Sequence, residues 1–386
     1  MNYNPYNNGY PQGGYPQQPQ QQQPYQQQYG QQQPLRTQPY QQQYTPYQPP
    51  QLTPEQIRMQ QQNYMRQMQI KSARSAEKSQ ILTAGIAIGG ALLTNLIIQV
   101  ISVLVLQALN LREAFDSSFL FQHAFNIIVV DVLGLFLPFF LISRIFKNRF
   151  ITPLVPAKKI GFLQGAAWVF IGLAGCFLAN FLTQGIIELF KFAGYKLTQP
   201  ESLKPESAVE CVLLVFSTAV APAIFEEFAM RCSSLGVLRR HGKAFAVVAV
   251  SIVFGLMHAN VIQFVFAFTI GLILGYITVK TDSVIPAMFI HGMNNGLSVM
   301  QDILSTGIKA STASTITTVI MIAYFVLGLA GLVYLAATHN LLIKKEYTQE
   351  TPYTINFFTK LLLLAPGLFI PFVILIAFTS QYITKI

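Results

Sequence analysis

The chain has 386 residues, of which 52% are hydrophobic and only 10% are charged. Soluble globular domains usually carry about 25% charged residues, so this composition excludes an ordinary soluble protein and is typical of a membrane protein. The net charge is +10, but Lys and Arg are grouped between apolar runs, which indicates membrane topology rather than nucleic-acid binding. The three cysteines include no close pair, which argues against a disulfide framework and a thiolate zinc site.

Residues 1–50 form a tail of Gln, Pro, Tyr, Asn and Gly in which Arg36 is the one charged residue. No hydrophobic period runs through this segment, so we expect a disordered N-terminal tail. It has no basic start followed by an apolar stretch, so it is not a signal peptide. Its recurring Gln-Pro-Tyr pieces could recruit an unknown protein partner, or the tail could act as a spacer.

A basic amphipathic helix is predicted over residues 51–79. Its start, Thr53-Pro54-Glu55-Gln56, has the spacing of a capping box, with proline at the first helical position. Apolar side chains gather near one face and basic side chains surround them. Such a helix binds along an anionic membrane surface, so we expect a juxtamembrane segment before the first span.

Nine apolar segments follow, each long enough, or nearly so, to span a bilayer. The fifth is short enough to be re-entrant or tilted. We therefore predict an all-α, polytopic transmembrane helical bundle of about eight or nine spans over residues 80–386. The segments lie near 81–107, 123–143, 160–192, 207–231, 243–258, 261–279, 283–300, 316–338 and 360–380.

The basic clusters between these segments all fall on one side of the membrane when nine spans are assumed. By the positive-inside rule that side is the cytoplasm. This predicts a multi-pass protein of the plasma membrane with a cytoplasmic N-terminus and an external C-terminus. Lys280 is the weakest indicator, because Asp282 accompanies it. The clusters are 58–78, the five residues Arg144, Lys147, Arg149, Lys158 and Lys159, the group Arg239, Arg240 and Lys243, then Lys280, and the pair Lys344 and Lys345.

Two adjacent carboxylates, Glu226 and Glu227, lie deep in the fourth apolar segment, one turn beyond Pro222. Ionisable groups at membrane depth are costly and usually face a partner or a water-filled cavity. Glu227 and Arg231 are four residues apart, so an ion pair can neutralise one carboxylate. Glu226 projects about 100° away and is free to face another group. A structural ion pair beside a protonated glutamate is the alternative interpretation.

His258 ends the fifth segment, where a lone histidine is often structural or interfacial. The fourth and fifth segments meet at a turn around His241-Gly242. The number of residues from Glu226 to the turn is nearly the same as the number from the turn to His258. At a helical rise of about 1.5 Å per residue the two side chains reach the same depth on neighbouring helices. We therefore expect Glu226 and His258 to meet.

The seventh segment contains His291 and Asn295 on one helical face, with Gly292 allowing close approach of a neighbouring backbone. An Asn in an apolar span also serves as a hydrogen-bonding contact between helices, so a structural role is the alternative here.

The combined set of two carboxylates and two imidazoles is suited to the activation of water. A carboxylate and a histidine can deprotonate water, while the second histidine and the Asn amide stabilise an oxyanion. The set Glu226, His258 and His291 could equally ligate zinc, whose bound water would then be the nucleophile. The residues alone do not separate the metal-free mechanism from the zinc mechanism.

The ordered motifs resemble those of the CAAX prenyl protease and bacteriocin-processing (CPBP) family of intramembrane proteases. They are Glu-Glu-x-x-x-Arg at 226–231, Phe-x-x-x-His at 254–258 and His-x-x-x-Asn at 291–295. The resemblance covers roughly residues 160–300, the expected catalytic core. It implies an endopeptidase, of metallo or glutamate type, that cleaves a peptide or protein substrate near the lipid bilayer. It further implies that Glu226 and His258 activate water and that Glu227 and Arg231 hold the carboxylate geometry. His291 and Asn295 would bind the oxyanion or help to ligate a metal.

Two other classes of function remain open at this stage. One is a non-catalytic membrane scaffold or bacteriocin-immunity protein, in which the tail does the work. The other is a transporter that couples to protons or cations through the same polar residues, although no inverted repeat is visible. The motifs of zinc site-2-type, rhomboid and presenilin-type proteases are absent from the sequence.

Overall fold

The computed structural model describes residues 52–145, 160–199, 203–341 and 354–386. The predicted disordered tail, 1–50, lies outside the described residues. Within the described ranges the chain is almost entirely helical, with one two-stranded sheet. The predicted all-α class is therefore confirmed.

Ten helices and two short strands make up the described chain. Seven of these helices are long and apolar enough to cross a membrane: α1, α3, α4, α5, α7, α9 and α10. The shorter α6 and the 23-residue α8 complete a one-to-one match with the nine predicted segments. The helices are α1 Pro54–Ala108, α2 Arg112–Ser117, α3 Phe119–Ile145, α4 Phe162–Phe192, α5 Ala208–His241, α6 Lys243–Leu256, α7 Val261–Thr281, α8 Ile285–Gly307, α9 Ala310–Ala337 and α10 Phe357–Thr379, and the strands are β1 Tyr195–Leu197 and β2 Ile383–Lys385.

The first helix begins as predicted, with reciprocal hydrogen bonds between Thr53 and Gln56 of 2.8 and 3.2 Å. It then continues without a break to Ala108, so the basic segment and the first span form one helix. The reason is local, since no proline, glycine or capping signal stands between Lys78 and Ile81 to end it. The position of residues 51–79 along a membrane surface stays a prediction.

Helix α5 is interrupted around Pro222. Widened π-helical turns occupy Phe216–Val220 and Phe228–Ser234, on either side of the α-helical stretch Ala221–Glu227. Proline has no N–H with which to bond the carbonyl four residues earlier, and its ring crowds that carbonyl. The carbonyl concerned is that of Thr218, which instead accepts a hydrogen bond from the Asn295 side chain of α8 at 3.0 Å. Such π-turns often occur at functional sites.

Ionic contacts hold one end of the bundle, here called the charged end. The end of α5 meets the end of α7 through Arg239 and Asp282, 2.6 Å apart. Glu77 of α1 lies 3.2 Å from the Lys360 Nζ of α10. Lys360 in turn donates to the carbonyl of His241. These contacts place the ends of α5 and α7, the start of α10 and the middle part of α1 at the same end.

The opposite end, here called the strand end, carries the sheet. β1 follows α4 and pairs antiparallel with β2, which follows α10, in the register Tyr195 to Lys385. Six helices, α5 to α10, separate the two strands, and an even number of crossings must return the chain to the same side. The pairing therefore places the end of α4 and the end of α10 at the same end of the bundle.

Close backbone contact joins the first and last long helices. A Cβ atom on Gly89 of α1 would collide with the carbonyl oxygen of Gly367 in α10, and one on Gly367 would collide with the backbone at Gly85. Small residues permit this approach, which is a common basis of helix packing in membranes.

Candidate active site

The two adjacent carboxylates of α5 point into different surroundings. The Glu227 side chain is fully buried, and its Oε1 lies 3.2 Å from a terminal guanidinium nitrogen of Arg231. The predicted ion pair between these residues is thus confirmed. The Glu226 side chain is 16% exposed and lines a cavity. The 100° rotation between consecutive helical residues accounts for the separation.

Arg231 is only 1% exposed, and it contacts both Glu227 and Phe254. Its guanidinium carbon sits 4.5 Å from the centre of the Phe254 ring, which is a cation–π contact. The ring therefore partly replaces the water that the cation has lost. Because Phe254 belongs to α6, this contact also fixes α6 against α5.

His291 of α8 stands between the two carboxylates. Its Nδ1 is 2.9 Å from Glu227 Oε1, and its Nε2 is 3.9 Å from Glu226 Oε2. A carboxylate can only accept, so Nδ1 carries the proton in the first contact. The second nitrogen is left to face Glu226 and the cavity. The structure thus brings Glu226, Glu227, Arg231 and His291 together, although they come from two distant motifs.

His258 lies just beyond the end of α6 and has a fixed ring orientation. Its Nδ1 is 2.8 Å from the carbonyl oxygen of Phe254. A carbonyl can only accept, so Nδ1 donates and Nε2 of the neutral ring presents a lone pair. His258 and Glu226 line the same cavity. No hydrogen bond or ion pair joins His258 and Glu226 within the described ranges, which leaves room for a molecule between them.

The cavity has a volume of about 530 Å³ and opens among α4, α5, α7, α8 and α9. One wall carries the ionisable side chains and the amides of α8. The rest is lined by apolar and uncharged polar side chains. Such a mixture is typical of a site that binds a ligand by shape and orients it with a few polar groups. Its polar wall consists of Ser217, Thr218, Glu226, His258, His291, Asn294 and Asn295.

Asn295 is held in place by two hydrogen bonds. Its amide nitrogen donates to the Thr218 carbonyl at 3.0 Å, and its oxygen accepts from the Asn294 amide at 3.3 Å. An Asn amide has two N–H groups, so one remains after the bond to Thr218. The sequence predicts an oxyanion donor here. The structure shows in addition that Asn295 donates to the Thr218 carbonyl, which receives no hydrogen bond from Pro222 because proline has no N–H.

The zinc interpretation needs three ligands close together. Among the described residues, no group of three His, Cys, Asp or Glu side chains is placed to hold a metal ion. His291 approaches both carboxylates, but His258 does not join them in such a group. The donor set as arranged here does not fit a three-ligand zinc site, and the mechanism below uses no metal.

Two polar groups of α3 were not selected from the sequence. His123 is buried, and its Nδ1 lies 2.8 Å from the hydroxyl of Ser217, which lines the cavity. Asp131 lies further along the same helix. Both residues lie in an apolar segment, so the rule that singled out Glu226 would also have found them.

The fold and the site together define a multi-pass membrane protein whose bundle encloses a carboxylate–imidazole site. Residues 208–297 match the family model described as type II CAAX prenyl endopeptidase, Rce1-like. This segment contains all three motifs, and the match confirms the resemblance predicted from them. No curated protein and no solved structure matches the chain.

Removing the Glu227 carboxylate should strongly destabilise the protein. Glu227→Ala would leave the buried Arg231 charge without its partner, which typically costs about 3–5 kcal/mol. Thermal unfolding in detergent would measure the loss. The matched control is Glu188→Ala, because Glu188 pairs with Lys191 at 3.6 Å on an exposed surface. An exposed pair contributes about 0–1 kcal/mol.

The double variant Glu227→Leu with Arg231→Met should recover much of that stability, since it removes both buried charges. Equal losses in Glu227→Ala and Glu188→Ala would show that the buried pair does not stabilise the fold.

Proposed function

We propose that the protein is an intramembrane endopeptidase of the CAAX-processing type, in which Glu226 and His258 activate a water molecule for attack on a peptide bond. The observation that carries this proposal is the state of Glu226. Its Oε2 is buried at the cavity wall and has no hydrogen-bond partner within the described ranges. A buried carboxylate oxygen without a partner requires a donor, and water in the cavity can supply one.

The proposed attack begins with a water molecule between Glu226 and His258. Glu226 accepts one proton from this water molecule. The remaining O–H of the water donates a hydrogen bond to the lone pair on His258 Nε2. The oxygen attacks the peptide carbonyl carbon and the carbonyl electrons move to its oxygen. The free N–H of Asn295 and the Nε2–H of a protonated His291 stabilise this oxyanion. Glu226 then passes its proton to the leaving nitrogen, which gives a carboxyl group and an amine.

The charge balance of the site favours this sequence. Before attack, the negative Glu226 and Glu227 are matched by the positive Arg231 and by His291 in its protonated form. After attack, Glu226 is neutral and the oxyanion carries the negative charge instead. The net charge of the buried site stays zero throughout. This matters because charge separation costs much more in a poorly polar interior than in water.

Glu226→Gln and His258→Ala should each lower proteolysis at least a hundredfold without loss of membrane insertion. General acid–base groups typically contribute about 10²- to 10⁴-fold. The measurement is the initial rate of peptide cleavage by purified protein in detergent, with thermal unfolding as the folding control. Activity within tenfold of the unmodified protein in either variant would contradict the assignment.

Asn295→Ala should lower turnover with little change in substrate affinity, because an oxyanion donor acts mainly in the transition state. Losses of about 10²- to 10³-fold are typical for one donor. Asn294→Ala is the comparison variant. Asn294 also lines the cavity, but its amide donates to the Asn295 oxygen, so its loss should cost less. If Asn295→Ala instead raised KM and left kcat unchanged, Asn295 would be a substrate-positioning or packing residue.

We further propose that the protein lies in the plasma membrane with its charged end in the cytoplasm. The basic residues Arg239, Arg240 and Lys243 at this end support the orientation. In a cysteine-free background, Ile386→Cys should react with an impermeant maleimide on intact cells. Lys344→Cys should react only after permeabilisation. Reaction of both, or of neither, on intact cells would show that the number of spans between them is wrong.

A further inference from the structure

The outer edge of β1 is an unoccupied pairing edge. In an antiparallel pair, residues alternate between those that bond across to the partner strand and those whose N–H and C=O point away from it. Thr198 N–H donates to Tyr382, and Ile386 N–H donates to Gly194. In this register the even-numbered residues of β1 face β2. The backbone groups of Tyr195 and Leu197 therefore point outward.

These outward groups have no hydrogen-bond partner among the described residues. No backbone or side-chain hydrogen bond in the described ranges reaches the N–H or C=O of Tyr195 or Leu197. Tyr195 is 42% exposed and Leu197 is partly exposed. A strand edge with free backbone groups is a template for pairing with another extended chain.

The edge leads directly to the cavity. Gln199, two residues beyond β1, lines the cavity wall together with Glu226 and His258. Residues two apart in an extended chain lie on the same side, about 6.6 Å from each other. A peptide that paired with Tyr195 and Leu197 would therefore be aligned with the rim of the cavity at Gln199.

We propose that an extended segment of the substrate adds to β1 as a third strand and so enters the cavity past Gln199. This inference rests on the proposed peptidase function and names the form of substrate that the site takes. The substrate class is an unfolded terminal or loop segment outside the bilayer, because the intact turns of a transmembrane helix keep their own backbone groups paired. Backbone pairing of this kind supplies affinity with little dependence on sequence.

The proposal makes a periodic prediction about the substrate. Only every second substrate residue faces β1, and each facing residue can exchange two hydrogen bonds with Tyr195 or Leu197. One hydrogen bond contributes about 0.5–1.5 kcal/mol, which corresponds to about a 2- to 12-fold change in binding. The paired residues should lie on one side of the cleaved bond, because β1 lies at one end of the cavity.

The test is an amide-to-ester scan of a substrate. The probe is a 12-residue fluorogenic peptide, chosen from a peptide library because the wild-type protein in detergent cleaves it and Glu226→Gln does not. Each amide N–H is replaced in turn by an ester oxygen. We expect kcat/KM to fall about 3- to 10-fold at two positions separated by one insensitive position, all on one side of the cleaved bond.

Proline variants of the enzyme provide the matched comparison. Leu197→Pro removes an outward N–H from the edge of β1, and Lys385→Pro removes one from the far edge of β2, and neither N–H belongs to the β1–β2 ladder. Leu197→Pro should raise KM about 3- to 10-fold with kcat unchanged. The ester effect at the opposing position should persist, because proline keeps the C=O that accepts the substrate N–H. Lys385→Pro should behave as wild type.

Four outcomes would overturn the inference. If cleavage depends on Glu226 but the ester scan shows no alternation, strand addition is wrong and the proposed peptidase function stands. Equal effects of the two proline variants would have the same meaning. If size-exclusion light scattering shows that Leu197→Pro converts a dimer into a monomer, the edge binds a second copy of the chain instead. If no peptide is cleaved in a Glu226-dependent way, both proposals fail.

Discussion

The buried ion pair between Glu227 and Arg231 decides how the rest of the site is arranged. Two like charges on consecutive residues would repel in an interior of low polarity, so one of them needs a dedicated partner. Arg231 supplies it one helical turn away, and Phe254 covers the cation. With Glu227 neutralised in this way, Glu226 keeps an oxygen at the cavity wall that has no hydrogen-bond partner among the described residues. The surroundings of Glu226 therefore depend on its neighbour.

The same pair reaches the other two motifs through direct contact. Glu227 accepts from His291, which fixes the tautomer and the ring of a residue on α8. Phe254, beneath Arg231, supplies the carbonyl that orients His258. Three sequence motifs on three helices are thus connected through one buried ion pair.

The break in α5 leaves a backbone carbonyl free to accept a hydrogen bond from a side chain of another helix. An uninterrupted helix would have used the Thr218 carbonyl internally. Pro222 prevents this, and Asn295 takes up the free carbonyl while keeping one N–H for the cavity. Pro222 is therefore tied to the orientation of Asn295, three helices further along the chain.

Local rules predicted much of this arrangement. The capping box at Thr53, the turn at His241-Gly242 and the ion pair of Glu227 depend on neighbours within a few residues, so spacing was sufficient. The bonding of His123 to Ser217 and the pairing of β1 with β2 depend on distant parts of the chain, which periodicity does not bring together. The contact of His291 with both carboxylates required the packing of α8 on α5. The composition of α1 changes from basic to apolar between Lys78 and Ile81, and this change predicts a boundary between two segments. The helix nevertheless continues through it, because a change in composition does not by itself end a helix.

The crossing of α1 and α10 at Gly89 and Gly367 has a consequence for biosynthesis. Gly367 occupies the space that a side chain on Gly89 would need, and the backbone at Gly85 occupies the space that a side chain on Gly367 would need. Most of the chain lies between α1 and α10, and at about 5–20 residues per second the ribosome needs of order tens of seconds to make it. Throughout that interval the glycine surface of α1 has no protein partner in the bilayer. The first span therefore remains in lipid, or against the insertion machinery, until α10 has been made. The packing of α1 is completed only after the synthesis of α10.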